Sequence, residues 1–154
     1  MMTDFVQPEA ITLHNQSSIR QLIRAITLSQ GEFSLILACC SYKIVTQHIV
    51  EEIRNQSSMG LREITLEPTT QTLLTTLMDQ LQGDKPDAVM VFGLESVLDL
   101  EQLLITTKRN VEEFNSFSCP LILWVTDEVL HKMISVAPDF HNRATSMEFL
   151  IETD

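Results

Sequence analysis

The sequence predicts a three-layer α/β/α sandwich around a five-stranded, mostly parallel sheet. Three observations carry this. Apolar runs of strand length alternate along the chain with amphipathic stretches of helical period. The runs Phe33–Cys40, Ala88–Phe92 and Leu121–Val125 are apolar almost throughout, as strands buried on both faces are. The segments Leu61–Glu67 and Met147–Glu152 instead alternate apolar with polar residues, as edge strands do.

Each element follows from local pattern. After a polar arm over residues 1–14, Ile19, Leu22, Ile23 and Ile26 recur at helical spacing, with Asn15, Ser17 and Ser18 as N-cap candidates and Gln30-Gly31 as the stop. Ser34 is the one polar residue in the first strand. The next helix gathers Ile44, Val45, Ile49, Val50 and Ile53 on one side and Glu51, Glu52 and Arg54 on the other, closing at Met59-Gly60. Pro68 ends the second strand. Residues 70–82 form a helix with Leu73, Leu74, Leu77, Met78 and Leu81 inward, and Gly83-Asp84-Lys85-Pro86 is a turn. A long helix is expected from Gly93-Leu94-Glu95-Ser96 to about Phe114. Pro120 then opens the fourth strand. Asp127 is a candidate cap for a last helix carrying Val129, Leu130, Met133 and Ile134 and ending before Pro138. The whole chain, 1–154, reads as a single domain with its core over 15–154.

Buried strands one, three and four disfavour the dinucleotide-binding order 3-2-1-4-5, which puts strand three at an edge. Two orders remain, the flavodoxin-like 2-1-3-4-5 and the 5-1-4-3-2 of a large class of P-loop ATPases. Periodicity does not separate them.

The formal charge of −11 repels nucleic-acid phosphates and anionic lipid, and the Lys and Arg residues form no stripe. No apolar run reaches membrane length, and the first residues lack the pattern of an export signal. A cytoplasmic, reduced setting is therefore expected, with neither nucleic acid nor membrane as partner. Cys39, Cys40 and Cys119 fit no zinc or Cys-x-x-Cys spacing. The adjacent pair reads as buried strand cysteines in preference to a vicinal disulfide. The four His show no ligand spacing, no Gly-x-Ser-x-Gly elbow occurs, and Trp124 reads as core or as lining the end of the fourth strand.

Ligands of such sheets sit beyond the carboxyl ends of the strands. A P-loop needs glycines so that backbone N–H groups can wrap phosphates, then a Lys and a hydroxyl. After the first strand this chain offers Cys39-Cys40-Ser41-Tyr42-Lys43, with no glycine and Ser41 in place to cap the next helix. After the third strand, where an acid would hold magnesium, stands Gly93. Glu95 follows it as a dipole partner at a helix start. A phosphate-accepting receiver domain lacks its acids here as well. An enzyme reading has only Glu95 or Asp127 to offer as a base.

"DAVMVFGLES", "LEQLLITTKRNVEEFNSFSCPLILWVTDEVLHKMISVAPDF" and "SMEFLIE" together resemble the degenerate P-loop (AAA/STAND-like) ATPase-like domains near the N-terminus of bacterial TPR-containing signalling proteins. The likeness spans residues 33–152. It is carried by Gly93-Leu94-Glu95, a degraded Asn-x-x-Arg helix at Lys108-Arg109-Asn110, the Pro120–Trp124 strand and Ala137-Pro138-Asp139-Phe140. The Trp- and Arg-containing segment of that family is replaced by His141-Asn142-Arg143-Ala144, which argues against a sensor role for Arg143.

The resemblance implies the 5-1-4-3-2 order and a cytoplasmic regulatory module, itself one piece or a stand-alone version of a larger protein. The expected function is a non-catalytic NTPase-like domain that contacts a protein partner or further domains of a larger chain, with homodimerisation open. Nucleotide or anion sensing without hydrolysis and a pseudo-receiver role are the alternatives. No catalytic residue, metal or cofactor is expected. Ser41, Tyr42, Lys43, Glu95 and Asp127 form the candidate vestigial ligand site.

Overall fold

A computed structural model describes residues 15–150. The expected arm over 1–14 and the end of the last expected strand, from Ile151, lie outside the described residues. The first helix, α1 (Gln16–Leu28), buries Ile19, Leu22 and Ile26 on one stripe. β1 (Ser34–Cys39) leads to α2 (Lys43–Gln56), which buries Val45, Ile49, Val50 and Ile53. β2 (Leu61–Thr65), α3 (Leu73–Leu81) and β3 (Ala88–Phe92) form the next crossover. Then come α4 (Leu100–Arg109), β4 (Pro120–Val125), α5 (Asp127–Val136), α6 (Pro138–Asn142) and β5 (Ala144–Glu148).

All five strands are parallel, in the order β2-β3-β4-β1-β5. Read from the other edge this is 5-1-4-3-2, with β2 and β5 at the edges as the alternation predicts. The flavodoxin-like order is excluded, because β1 lies between β4 and β5. The receiver-type sheet goes with it. Alternation in β1 feeds two cores. Leu35, Leu37 and Cys39 face α3, α4, α5 and α6, whereas Ile36, Ala38 and Cys40 face α1 and α2. Each fully buried Leu or Ile here contributes about 2 kcal/mol over its exposed state. Cys39, the last residue of β1, and Cys40, just beyond the strand, thus face opposite cores as free, buried thiols.

Several boundaries differ from the pattern, each for a local reason. The long helix expected from Gly93 to Phe114 is broken into a 3-10 turn at Leu94–Ser96, α4, and a second 3-10 turn at Val111–Ser116. Asp99 restarts the helix by accepting the Gln102 N–H at 3.1 Å. The second turn inserts Phe114 into the core beside Phe140, ring centres 5.2 Å apart. α3 starts only at Leu73, since Thr70 closes a turn back onto the Glu67 carbonyl through both its N–H and its hydroxyl. Pro138 opens α6, its missing N–H costing nothing at a helix start. Ile44, Met78 and Ile134, expected on apolar faces, are exposed. β5 begins at Ala144, earlier than expected, because it pairs with β1 from Leu35 onward, and Phe149 turns into the core at its end. Asn15 stands at the start of α1 without capping it; its amide donates to the Leu150 carbonyl at 2.8 Å and accepts from the Leu150 N–H at 2.7 Å.

Gly93 has φ +91°, and a Cβ there would lie 3.1 Å from the Leu66 carbonyl oxygen and 3.3 Å from its nitrogen. Both contacts are backbone, so neither yields easily. The left-handed conformation adds strain for any L side chain. Gly93→Ala is expected to destabilise the fold by about 2 kcal/mol, lowering Tm by about 4–8 °C in a scanning calorimetry run. A Tm within about 1 °C of wild type would contradict this.

Burial pushes the Cys39 thiol up to about 11, with Glu148, Asp127 and Cys40 acting in the same direction. The neutral thiol is favoured in the fold. Its contribution is complete below the ordinary thiol range and is lost as pH rises from about 9 towards 11. The stability difference between wild type and Cys39→Ala, from urea unfolding, should therefore shrink across that window.

Candidate functional site

Parallel strands bring their carboxyl ends to one rim, and the connections after β1, β3 and β4 meet there. Between the last residue of β1 and the first of α2 the connection is only Cys40-Ser41-Tyr42. Tyr42 is the N-cap of α2 in extended conformation and makes no side-chain capping bond. The first N–H donation within the helix runs from Thr46 to the Tyr42 carbonyl at 3.0 Å, so the N–H groups of Lys43, Ile44 and Val45 face the rim. Ser41 is not the cap that the sequence suggests. Its hydroxyl accepts the Asp127 N–H at 3.2 Å and so ties the β1 connection to the start of α5. Asp127 is not a cap either: Thr126 holds that position and accepts the Val129 N–H at 3.2 Å.

The five candidate residues do not form one constellation. Ser41, Lys43 and Glu95 line a cleft of about 980 Å³ on the α2 side of the sheet. Tyr42 and Asp127 line a separate cavity of about 170 Å³ with Cys39 and Glu148, and Ser41 borders both. The large cleft has an aromatic wall. Phe92 is half-buried and stacks on Trp124 with centroids 6.2 Å apart and planes 8° from parallel. Trp124 is 4 % exposed, as a core residue should be, and packs on Phe149 behind, ring centres 5.3 Å apart. Its indole N–H meets no acceptor among the described residues.

Charge in the cleft comes from Lys43 and Arg54 against Glu51, Glu63 and Glu95. Arg54 is already committed. Its Nε and an Nη donate to the two Glu63 carboxylate oxygens at 2.7 and 2.6 Å, which raises the guanidinium above its ordinary value. What remains for a ligand is Lys43 with Glu51 and Glu95, an excess of negative charge. Among the described residues no group of three or more His, Cys, Asp or Glu is placed to hold a metal, and no helix is long and apolar enough to cross a membrane.

Of the residues singled out at the strand ends, Ser41, Lys43 and Glu95 line this cleft, and its other wall has no counterpart in that reading. Glu51 and Arg54 read as the solvated face of an amphipathic helix, and Glu63 as the outer side of an edge strand. Only the crossover joining α2 to β2 sets them face to face. The signal available was the opposite charge of Arg54 and Glu63 on consecutive elements.

No family model matches the sequence, and no curated protein does. Among solved structures the chain is similar to the Aeropyrum pernix ORC2 protein in its ADPNP-ADP complexes, with a TM-score of 0.51 and 10% identity over 87% of this chain and 47% of that one. The ADP form of ORC2 gives a TM-score of 0.46 at 10% identity, over 96% of this chain and 49% of that one. This chain spans about half the length of those ORC2 chains. The likeness is one of fold, shared over 87% of this chain.

Proposed function

We propose that this domain is a non-catalytic P-loop-ATPase-like module that works by contacting another protein or further domains of a longer chain. The observation that carries the reading is the connection Cys40-Ser41-Tyr42. A working P-loop places about six residues, two of them glycine, ahead of its lysine so that several N–H groups encircle a phosphate. The shorter link here has no glycine, and its hydroxyl is engaged with Asp127. The surplus of carboxylates in the cleft adds Coulomb repulsion towards a triphosphate. At Gly93 the left-handed backbone and the close Leu66 backbone disfavour any side chain, a magnesium-binding acid included. A regulatory role in bacterial signalling, in the cytoplasm, is the narrower form of the proposal and is supported by the sequence resemblance.

One observation favours a second reading, anion sensing without hydrolysis. The start of α2 carries Lys43, no acid in its first turn and no side-chain cap, which suits a small anion.

Two measurements separate these readings from catalysis and from each other. Titration calorimetry with ATP or GTP and magnesium is expected to show no saturable heat up to about 1 mM nucleotide. Micromolar binding with release of phosphate would sink the non-catalytic proposal. Thermal melting in phosphate and in nucleotide is expected to leave Tm unmoved. A ligand-dependent rise that disappears in Lys43→Ala would establish the sensor reading instead.

A further inference from the structure

Resting on the non-catalytic reading, the question is what the large cleft holds if it holds no phosphate. Its volume of about 980 Å³ is at the upper end for small-molecule sites, which run to about 1,000 Å³. It is open to more than one side chain of a partner. Three features of the lining agree on the chemistry. Phe92 lines the cleft as a half-buried ring, nearly parallel to Trp124 at 8° with centroids 6.2 Å apart, and an aromatic ring there favours a flat cation. Glu51 and Glu95, on α2 and on the turn after β3, are exposed carboxylates that form none of the ion pairs among the described residues, although Glu51 lies in the field of Arg54. Arg54 is neutralised by Glu63 and so does not oppose a second cation. The one opposing charge is Lys43, and the whole chain, at −11, draws basic partners by long-range attraction.

We infer that the cleft is the docking site for an arginine-bearing segment of a protein partner, whose guanidinium is held by Phe92 together with Glu51 and Glu95. Arginine fits better than lysine because its planar group stacks on an aromatic ring and can pair with a carboxylate through two parallel N–H bonds. A peptide segment fits better than a free guanidinium. The cleft, at about 980 Å³, has room for more than one side chain of such a segment. A mononucleotide or a divalent ion fits worse, the first for charge and the second because no group of three ligands is present among the described residues.

Trp124 is the sole tryptophan of the sequence and lines the cleft, so its emission reports on this site. The test titrates the intact protein with a short Gly-Arg-Gly-Arg-Gly peptide, capped at both ends, and with its Gly-Glu-Gly-Glu-Gly counterpart. A saturable change in Trp124 emission is expected with the arginine peptide alone, weakening as salt rises. In the Glu51→Gln/Glu95→Gln double variant binding should weaken about tenfold, the size of two exposed charge pairs. In Lys43→Glu it should tighten. Both carboxylates are exposed, so an unchanged melting temperature verifies that the double variant is folded. No saturable response, an equal response to the glutamate peptide, or full retention of binding in the double variant would each overturn the assignment. Nucleotide hydrolysis is scored separately, in the calorimetric titration. It would overturn the non-catalytic reading whatever the arginine peptide does.

Discussion

The pairing of β1 with β4 is the constraint on which the rest of this molecule depends. It joins Ser34 to Pro120 and runs in register to Cys39 opposite Val125, across a gap in sequence that contains two other strands. Because the pairing is parallel, it sets the carboxyl ends of β1 and β4 side by side. The loop from Cys40 to Tyr42 therefore lies against the start of α5, and Ser41 can reach the Asp127 N–H. Closing such a distant contact is slow and costs loop entropy, which the double-sided burial of both strands must offset. Leu37 and Leu123 are fully buried, and each removes apolar surface from water on a face that no local contact could cover.

That same pairing explains how far the sequence was legible. Strand identity was visible because burial on both faces leaves a run of apolar residues, as from Leu35 to Cys40 and from Leu121 to Val125. Edge position was visible because one solvated side restores alternation, as at Ile64 between Glu63 and Thr65. Strand order was not visible from periodicity. Two topologies bury the same strands, and only the long-range register, with β1 between β4 and β5, separates them. Helix boundaries failed where a tertiary contact overrode local propensity. Phe114 has helical spacing behind α4, yet its place beside Phe140 requires the tighter 3-10 turn. At the candidate site, the absence of glycine from the loop is plain in the sequence. The loop's engagement with α5 and the split between Tyr42 and Lys43 depend on which way each side chain turns, and one-dimensional spacing does not carry that information.

A scaffold and its chemistry are separable, and under the non-catalytic function proposed above the separation falls at the strand ends. The sheet, the crossovers and the cleft at the strand ends depend on burial, and all are intact. Phosphate chemistry depends on a few backbone conformations at two connections. Here those connections carry other constraints. Gly93 keeps a left-handed backbone so that β3 can turn away beneath Leu66, and a carboxylate there would disturb the fold. The proposed replacement, recognition of a basic segment, asks only for exposed carboxylates and an aromatic ring. Those are properties of surface side chains and leave the backbone free to serve the sheet.

The bond pair between Asn15 and Leu150 has a mechanical consequence. It spans 135 positions and brings the first and last described residues of the domain to one point. The start of α1 and the chain just beyond β5 are thereby tied to each other, and moving either one away breaks the same two hydrogen bonds. β5 pairs with β1 alone, whereas β1 is paired on both sides.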